Sequence, residues 1–81
     1  MKNIFISVTD NNSIVVKADT ERFGKNAIMY ENTTFMSCCD YIRRITGNNH
    51  FKLESLYGVP MFTDAEGRTM PRFMEVVVSN N

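Results

Sequence analysis

Two runs near the start of the chain alternate apolar and polar residues, and this alternation constrains the fold more than any other feature. The apolar positions are Ile4, Ile6 and Val8 in the first run and Ile14, Val16 and Ala18 in the second. Successive side chains of a β-strand point to opposite faces, so a period of two is typical of a strand with one buried face. The chain is therefore predicted to begin with a β-hairpin.

The connection between these runs, residues 10–12, decides their register. A two-residue loop would place Val8 opposite Val15 and mix the two faces. A three-residue loop places Val8 opposite Ile14 and keeps one continuous apolar face, with Asn12 in the left-handed conformation that asparagine tolerates. We therefore expect the three-residue loop. The register then continues along the strands with the pairs Ile6–Val16 and Ile4–Ala18.

One segment has the periodicity of an amphipathic helix. Its apolar residues follow the spacing i, i+3, i+4, i+7 and i+10, and they are Phe35, Cys38, Cys39, Ile42 and Ile45. Asn32 or Thr33 offers a side-chain oxygen to cap the first turn, and Gly47 suits the position after the last. These signals predict one helix over about residues 34–46.

The remaining segments have strand character. Residues 25–30 form either a short strand or a helical turn, and residues 51–55 alternate in the manner of a strand. Residues 61–63 are expected to pair with residues 73–78 across the loop 64–68. The predicted order of elements is β-β-(β)-α-β-β-β.

A chain of 81 residues has room for one hydrophobic core, so residues 1–81 are predicted to form a single domain. One helix packed on one face of an antiparallel sheet makes this a small α+β domain. The opposite face of the sheet carries a second set of apolar residues, which are Phe5, Val15, Phe73 and Val77. Loops or another protein chain must cover them, since a contiguous exposed apolar patch usually marks an interface.

Composition argues against several classes of function. The formal net charge is zero, so no overall field attracts nucleic acid or an anionic membrane. The first segment turns polar by Thr9 and Asp10, too early for the apolar region of a secretory leader or a membrane span. The two cysteines are adjacent and cannot supply the several disulfides of a small secreted domain. We expect a soluble, cytoplasmic protein that does not contact membranes.

Few residues suggest chemistry. Cys38 and Cys39 could join His50 as metal ligands, but consecutive helical residues point about 100° apart, so their sulfurs do not converge. We expect Cys38 to be a core residue and His50 to be solvated. Ser37 and Asp40 share a helix face, yet no base is evident to activate the hydroxyl. We therefore predict a protein that is not an enzyme, with no catalytic residue, bound metal or cofactor.

The basic pair Arg43–Arg44 raises nucleic-acid binding as an alternative. Together with nearby aromatic residues, these arginines could form a local patch that stacks and neutralises a single strand. Acidic residues interleave with the cations, however, and no recognition-helix pattern is present. A solvated helix face is the preferred interpretation of this pair.

Binding to another protein is the preferred functional hypothesis. Methionine and aromatic side chains in the last third of the chain suit an adaptable contact surface. The predicted contacts are Tyr57, Met61, Arg72 and Phe73, with Arg43 and Arg44 at a polar rim. A homodimer is the second partner arrangement, because sheet edges and the second apolar face both need cover.

No family motif is recognisable in the chain. In size and in its abundance of asparagine, it is similar to phage and mobile-element proteins that inhibit host machinery, including anti-CRISPR inhibitors. That similarity implies steric occlusion of a host protein complex. A small enzyme or subunit with its site at a dimer interface is a third hypothesis.

Overall fold

The computed structural model describes residues 2–47 and 50–79. It contains one helix and seven strands, which are β1 (Lys2–Val8), β2 (Ile14–Thr20), β3 (Gly24–Asn32), α1 (Phe35–Ile45), β4 (His50–Glu54), β5 (Met61–Thr63), β6 (Thr69–Pro71) and β7 (Phe73–Ser79). Five strands form an antiparallel main sheet in the order β3-β2-β1-β7-β4, and β5 and β6 form a separate hairpin. The predicted α+β class, with one helix on an antiparallel sheet, is confirmed.

The first hairpin has the predicted register next to its turn, but the predicted pair Ile4–Ala18 does not form, because the register shifts beyond Phe5. Val8 pairs with Ile14, and the backbone N–H of Thr9 donates to the carbonyl of Ser13 at 2.8 Å. This bond closes a three-residue loop whose last residue, Asn12, has φ of 62°. The side chain that best tolerates the left-handed region thus occupies the position that requires it.

A β-bulge interrupts the same pair of strands at its other end. The register shifts between Lys2 and Phe5, and Asn3 has φ of 54°. The Asn3 side-chain amide donates to the Asp19 carboxylate at 2.8 Å, and the backbone N–H of Asn26 donates to its other oxygen at 3.0 Å. Both bonds lower the pKa of Asp19, and the bond from Asn3 has the larger effect. One carboxylate therefore joins three strands at the bulge.

The N-cap of the helix lies one residue later than the second of the two predicted caps. Thr34 is the N-cap, and its hydroxyl oxygen accepts a bond from the backbone N–H of Ser37 at 3.4 Å. The Asn32 side-chain oxygen instead accepts bonds from the backbone N–H groups of Thr33 and Thr34, at 2.8 and 3.2 Å. The expectation that Asn32 or Thr33 caps the helix is therefore wrong, because Asn32 organises the turn that precedes the cap. Gly47 follows the last turn with φ of 67°, as predicted.

The predicted pairing in the last third of the chain is also wrong. Met61–Thr63 pairs with Thr69–Pro71, whereas Phe73–Ser79 lies in the main sheet between β1 and β4. The backbone N–H of Asp64 donates to the carbonyl of Arg68 at 2.8 Å. A loop this tight returns the chain directly beside the strand it has just left, so β5 cannot reach across to β7. The described chain thus has one strand more than predicted, and residues 25–30 lie within β3.

The core lies between one face of the main sheet and a layer made by α1 and the β5–β6 hairpin. Its buried residues come from all these elements and are Ile6, Ile14, Val16, Cys38, Ile42, Met70 and Met74. On one flank of the helix, the ring of Tyr41 stacks on that of Tyr30 in β3, with centroids 4.7 Å apart. Within the described residues, no helix has the length and apolar character needed to cross a membrane.

Candidate protein-binding surface

The loop between β4 and β5, together with the first residue of β5, exposes three large apolar side chains. Leu56 is 70% exposed, Tyr57 is fully exposed, and Met61, at the start of β5, is 57% exposed. We call these three residues the loop patch. They lie within six residues of sequence and outside the buried core.

The base of the loop patch is held to the main sheet. The backbone N–H of Arg72 donates to the carbonyl of Pro60 at 2.9 Å, and its own carbonyl accepts from the backbone N–H of Val8 at 3.0 Å. The guanidinium carbon of Arg72 lies 5.3 Å from the ring centroid of Phe62, which packs on the core. The residues that flank the patch are therefore anchored even though its side chains face solvent.

Asp64 connects the β5–β6 hairpin to the helix. Its carboxylate accepts bonds from the backbone N–H groups of Phe35 at 2.8 Å, Glu66 at 2.9 Å and Arg68 at 2.8 Å. The Phe35 bond comes first among the causes that lower the pKa of Asp64, and burial opposes it. Asp64 as a whole is only 7% exposed, so these donors replace water that its carboxylate has lost.

Sequence reasoning missed Asp64. The sequence around Asp64 carries only a local signal. An aspartate that begins a loop, followed three residues later by Gly67, is typical of a turn closed by the Asp side chain. Nothing in the pattern showed that the same carboxylate also reaches a helix 29 residues earlier in the chain.

The six predicted binding residues lie on three different surfaces. Tyr57 and Met61 belong to the loop patch, with Arg72 at its base. Phe73 lies on the face of the main sheet opposite the helix, where its ring centroid is 5.2 Å from that of Phe5. The remaining two, Arg43 and Arg44, are exposed on the helix. The structure brings together part of the predicted set.

Arg43 already has an acidic neighbour. Its guanidinium donates to the Asp40 carboxylate at 2.7 Å, and both side chains are more or less half exposed. An exposed pair of this kind contributes little to stability, but it halves the positive charge that the Arg43–Arg44 pair presents. This contact weakens the case for a nucleic-acid patch on the helix.

The two cysteines are free and buried. Burial is the larger of two causes that raise the pKa of Cys38 to about 11, and the neighbouring Cys39 is the other. The Cys38 thiol donates to the Ile14 carbonyl at 3.7 Å. Burial also raises the pKa of Cys39, although Arg43 opposes this effect. Both groups are therefore thiols rather than reactive thiolates at neutral pH. His50 is exposed at the start of β4, and within residues 2–47 and 50–79 no three potential ligands are grouped for a metal.

The face of the main sheet opposite the helix, which we call the outer face, carries the second set of apolar residues. Val15 is fully buried by its neighbours there, Phe5 and Phe73 are partly exposed, and Val77 is 43% exposed. The strand registers place these four residues on one side of the sheet, as predicted. The outer face is therefore partly covered by its own side chains and partly open.

Comparison with known proteins gave no match to a protein-family model, to a curated protein or to a solved structure.

Proposed function

We propose that the chain is a non-enzymatic protein-binding module and that the loop patch is its main contact surface. The observation that carries this proposal is the complete exposure of Tyr57 between Leu56 and Met61 on an anchored loop. Tyrosine supplies a large contact area with few rotatable bonds and is enriched among the residues that dominate binding energy.

The anchoring of the loop supports the same proposal. Ordering flexible groups on binding costs conformational entropy and weakens the complex. A contact surface whose base is already fixed loses less entropy. Arg72 lies at this base, with its guanidinium against the ring of Phe62. A partner surface with an apolar pocket and an acidic rim fits this arrangement.

The mode of action that we propose is steric occlusion of a larger protein complex in the cytoplasm. A small domain with an anchored apolar loop can act by occupying a surface that another molecule needs. A phage or mobile-element inhibitor of a host complex, of the anti-CRISPR kind, is the biological role that this mode favours. Free thiols are in keeping with a reducing compartment.

The test is capture from nuclease-treated lysate of the source cells, followed by reconstitution with the purified partner. The variants are Tyr57→Ala and Met61→Ala. The matched control is Phe23→Ala, since Phe23 is an aromatic residue 62% exposed in the β2–β3 connection. We expect wild type and control to bind equally and each loop-patch variant to bind at least about tenfold more weakly.

Two results would overturn the proposal. Equal affinity of wild type and Tyr57→Ala for the purified partner would exclude the loop patch as the contact surface. Loss of all captured material on nuclease treatment, with binding to a purified oligonucleotide that falls steeply with salt, would establish nucleic-acid binding in its place.

A further inference from the structure

A row of residues crosses all five strands on the outer face and carries opposite charges on the two sides of β1. The strand registers place them side by side in the order Ile28, Lys17, Phe5, Glu75 and Glu54. Lys17 is one strand away from Phe5 on one side, and Glu75 is one strand away on the other. Neighbouring strands are about 4.8 Å apart, so the opposite charges lie about 10 Å from each other with an aromatic ring between them.

The next row has an apolar residue on each side of β1. Ser7 pairs with Val15 in β2 and with Phe73 in β7. The central strand therefore divides the outer face into two halves. One half carries Lys17 and Val15, and the other carries Glu75 and Phe73.

We propose that the outer face binds a second copy of this chain about a twofold axis that runs parallel to the strands, beneath β1. This operation exchanges the two halves of the face. It places Lys17 over Glu75 of the second copy at the roughly 10 Å spacing of packed sheets. Val15 is fully buried within its own chain and adds no contact. Phe5 meets its own counterpart at the axis.

The charges select this axis over the alternative. A twofold axis along the row, perpendicular to the strands, would place Lys17 over Lys17 of the second copy and Glu75 over its own counterpart. Like charges in an interface are strongly unfavourable. Of these two axes, only the one parallel to the strands joins opposite charges, and a twofold contact requires self-complementarity.

The size of the face sets the strength of the contact. Five strands of about five residues cover about 400 Å² on each copy, which is roughly half the area of a standard interface on each partner. We therefore expect a weak, reversible dimer rather than a permanent one. This dimer does not use the loop patch, so it stands or falls separately from the proposed function.

Charge reversal tests the proposal in a way that folding defects cannot imitate. Lys17→Glu gives a face with only acidic residues at these two positions, and Glu75→Lys gives one with only basic residues. Each variant alone should associate at least about tenfold more weakly than wild type. An equimolar mixture of the two should associate again, because both contacts of the mixed dimer then join opposite charges.

Sedimentation velocity of wild type, each variant, their mixture and the double variant would give these results. The double variant exchanges the two charges within one chain and should dimerise like wild type, and circular dichroism would verify folding of every variant. Arg44→Glu is the control for charge alone, since Arg44 is exposed on the helix. A wild-type chain that stays monomeric up to about 1 mM, or a mixture no more associated than its components, would overturn the proposal.

Discussion

The Asp64 carboxylate accepts a hydrogen bond at 2.8 Å from the backbone N–H of Phe35, a residue 29 positions earlier in the chain. This bond satisfies one of the free donors in the first turn of the helix, while the same carboxylate closes the β5–β6 loop. It therefore fixes the hairpin against the helix. Because Met61 begins that hairpin, the bond also helps to set the position of the loop patch.

Replacing this carboxylate should change how stability depends on pH. The hydrogen bonds to Asp64 hold its pKa in the folded chain below the usual 3.8. Its contribution to stability is therefore fully present above pH 3.8 and is lost as the pH falls through the folded pKa. We expect Asp64→Asn to unfold at a clearly lower temperature than wild type at pH 7, with the difference shrinking below about pH 4.

Thermal unfolding followed by circular dichroism from pH 2.5 to 7 would measure this difference. Asp40→Asn is the matched control, because it removes the same charge from an exposed position on the helix. A constant difference between wild type and Asp64→Asn across the whole range would contradict the assigned role of the carboxylate.

Truncation of the helix on its buried side should be costly. Ile42 is fully buried in the core, so Ile42→Ala should lower the free energy of unfolding by about 2–5 kcal/mol. Met36, on the same helix, is 36% exposed, and Met36→Ala should cost less than about 1 kcal/mol. Urea unfolding of both variants measures the two values. Similar losses would mean that the helix does not bury the stripe described here.

The first hairpin depends on one left-handed asparagine. Asn12 has φ of 62°, where a residue with a β-carbon and no helpful polar group is strained. Asn12→Ala should therefore cost about 1–2 kcal/mol, whereas Asn12→Gly should be tolerated. The neighbouring Asn11→Ala is the control for loss of an exposed amide. Equal stability of the two alanine variants would show that the loop has a different conformation.

The cysteines should be protected while the chain is folded. Burial raises the pKa of both thiols, that of Cys38 to about 11, and attack on a disulfide reagent requires an accessible thiolate. In native buffer at pH 8, labelling with an aromatic disulfide reagent should proceed at the rate at which the structure opens. In denaturant, both thiols should react at once. Rapid labelling of the native chain would contradict the burial of Cys38 and Cys39.

The elements that could be predicted were those whose signals are local. The three-residue loop before Ile14 and the helix around Ile42 each follow from a periodic pattern with a turn or a cap at its ends. The partner of β5 was missed, because two three-residue strands carry no periodicity that distinguishes one pairing from another. The short loop 64–68, which Asp64 closes with its hydrogen bonds, decided that pairing.

The candidate surface was predictable in composition but not in arrangement. Tyr57 and Met61 were selected for their side chains, and both prove to be exposed. Leu56, which is also exposed, was not among the predicted contacts. Phe73 was assigned to the same surface as Arg72, although adjacent residues at a strand point to opposite faces and Phe73 joins the outer face.

Site-specific crosslinking in the source cells tests the loop patch most directly. A photo-crosslinking amino acid would replace Tyr57 in one variant and Phe23, which is exposed elsewhere, in the other. We expect a discrete protein crosslink from position 57 that survives nuclease treatment and is absent from position 23. Indistinguishable crosslinks from the two positions, or a position-57 product removed by nuclease, would contradict it.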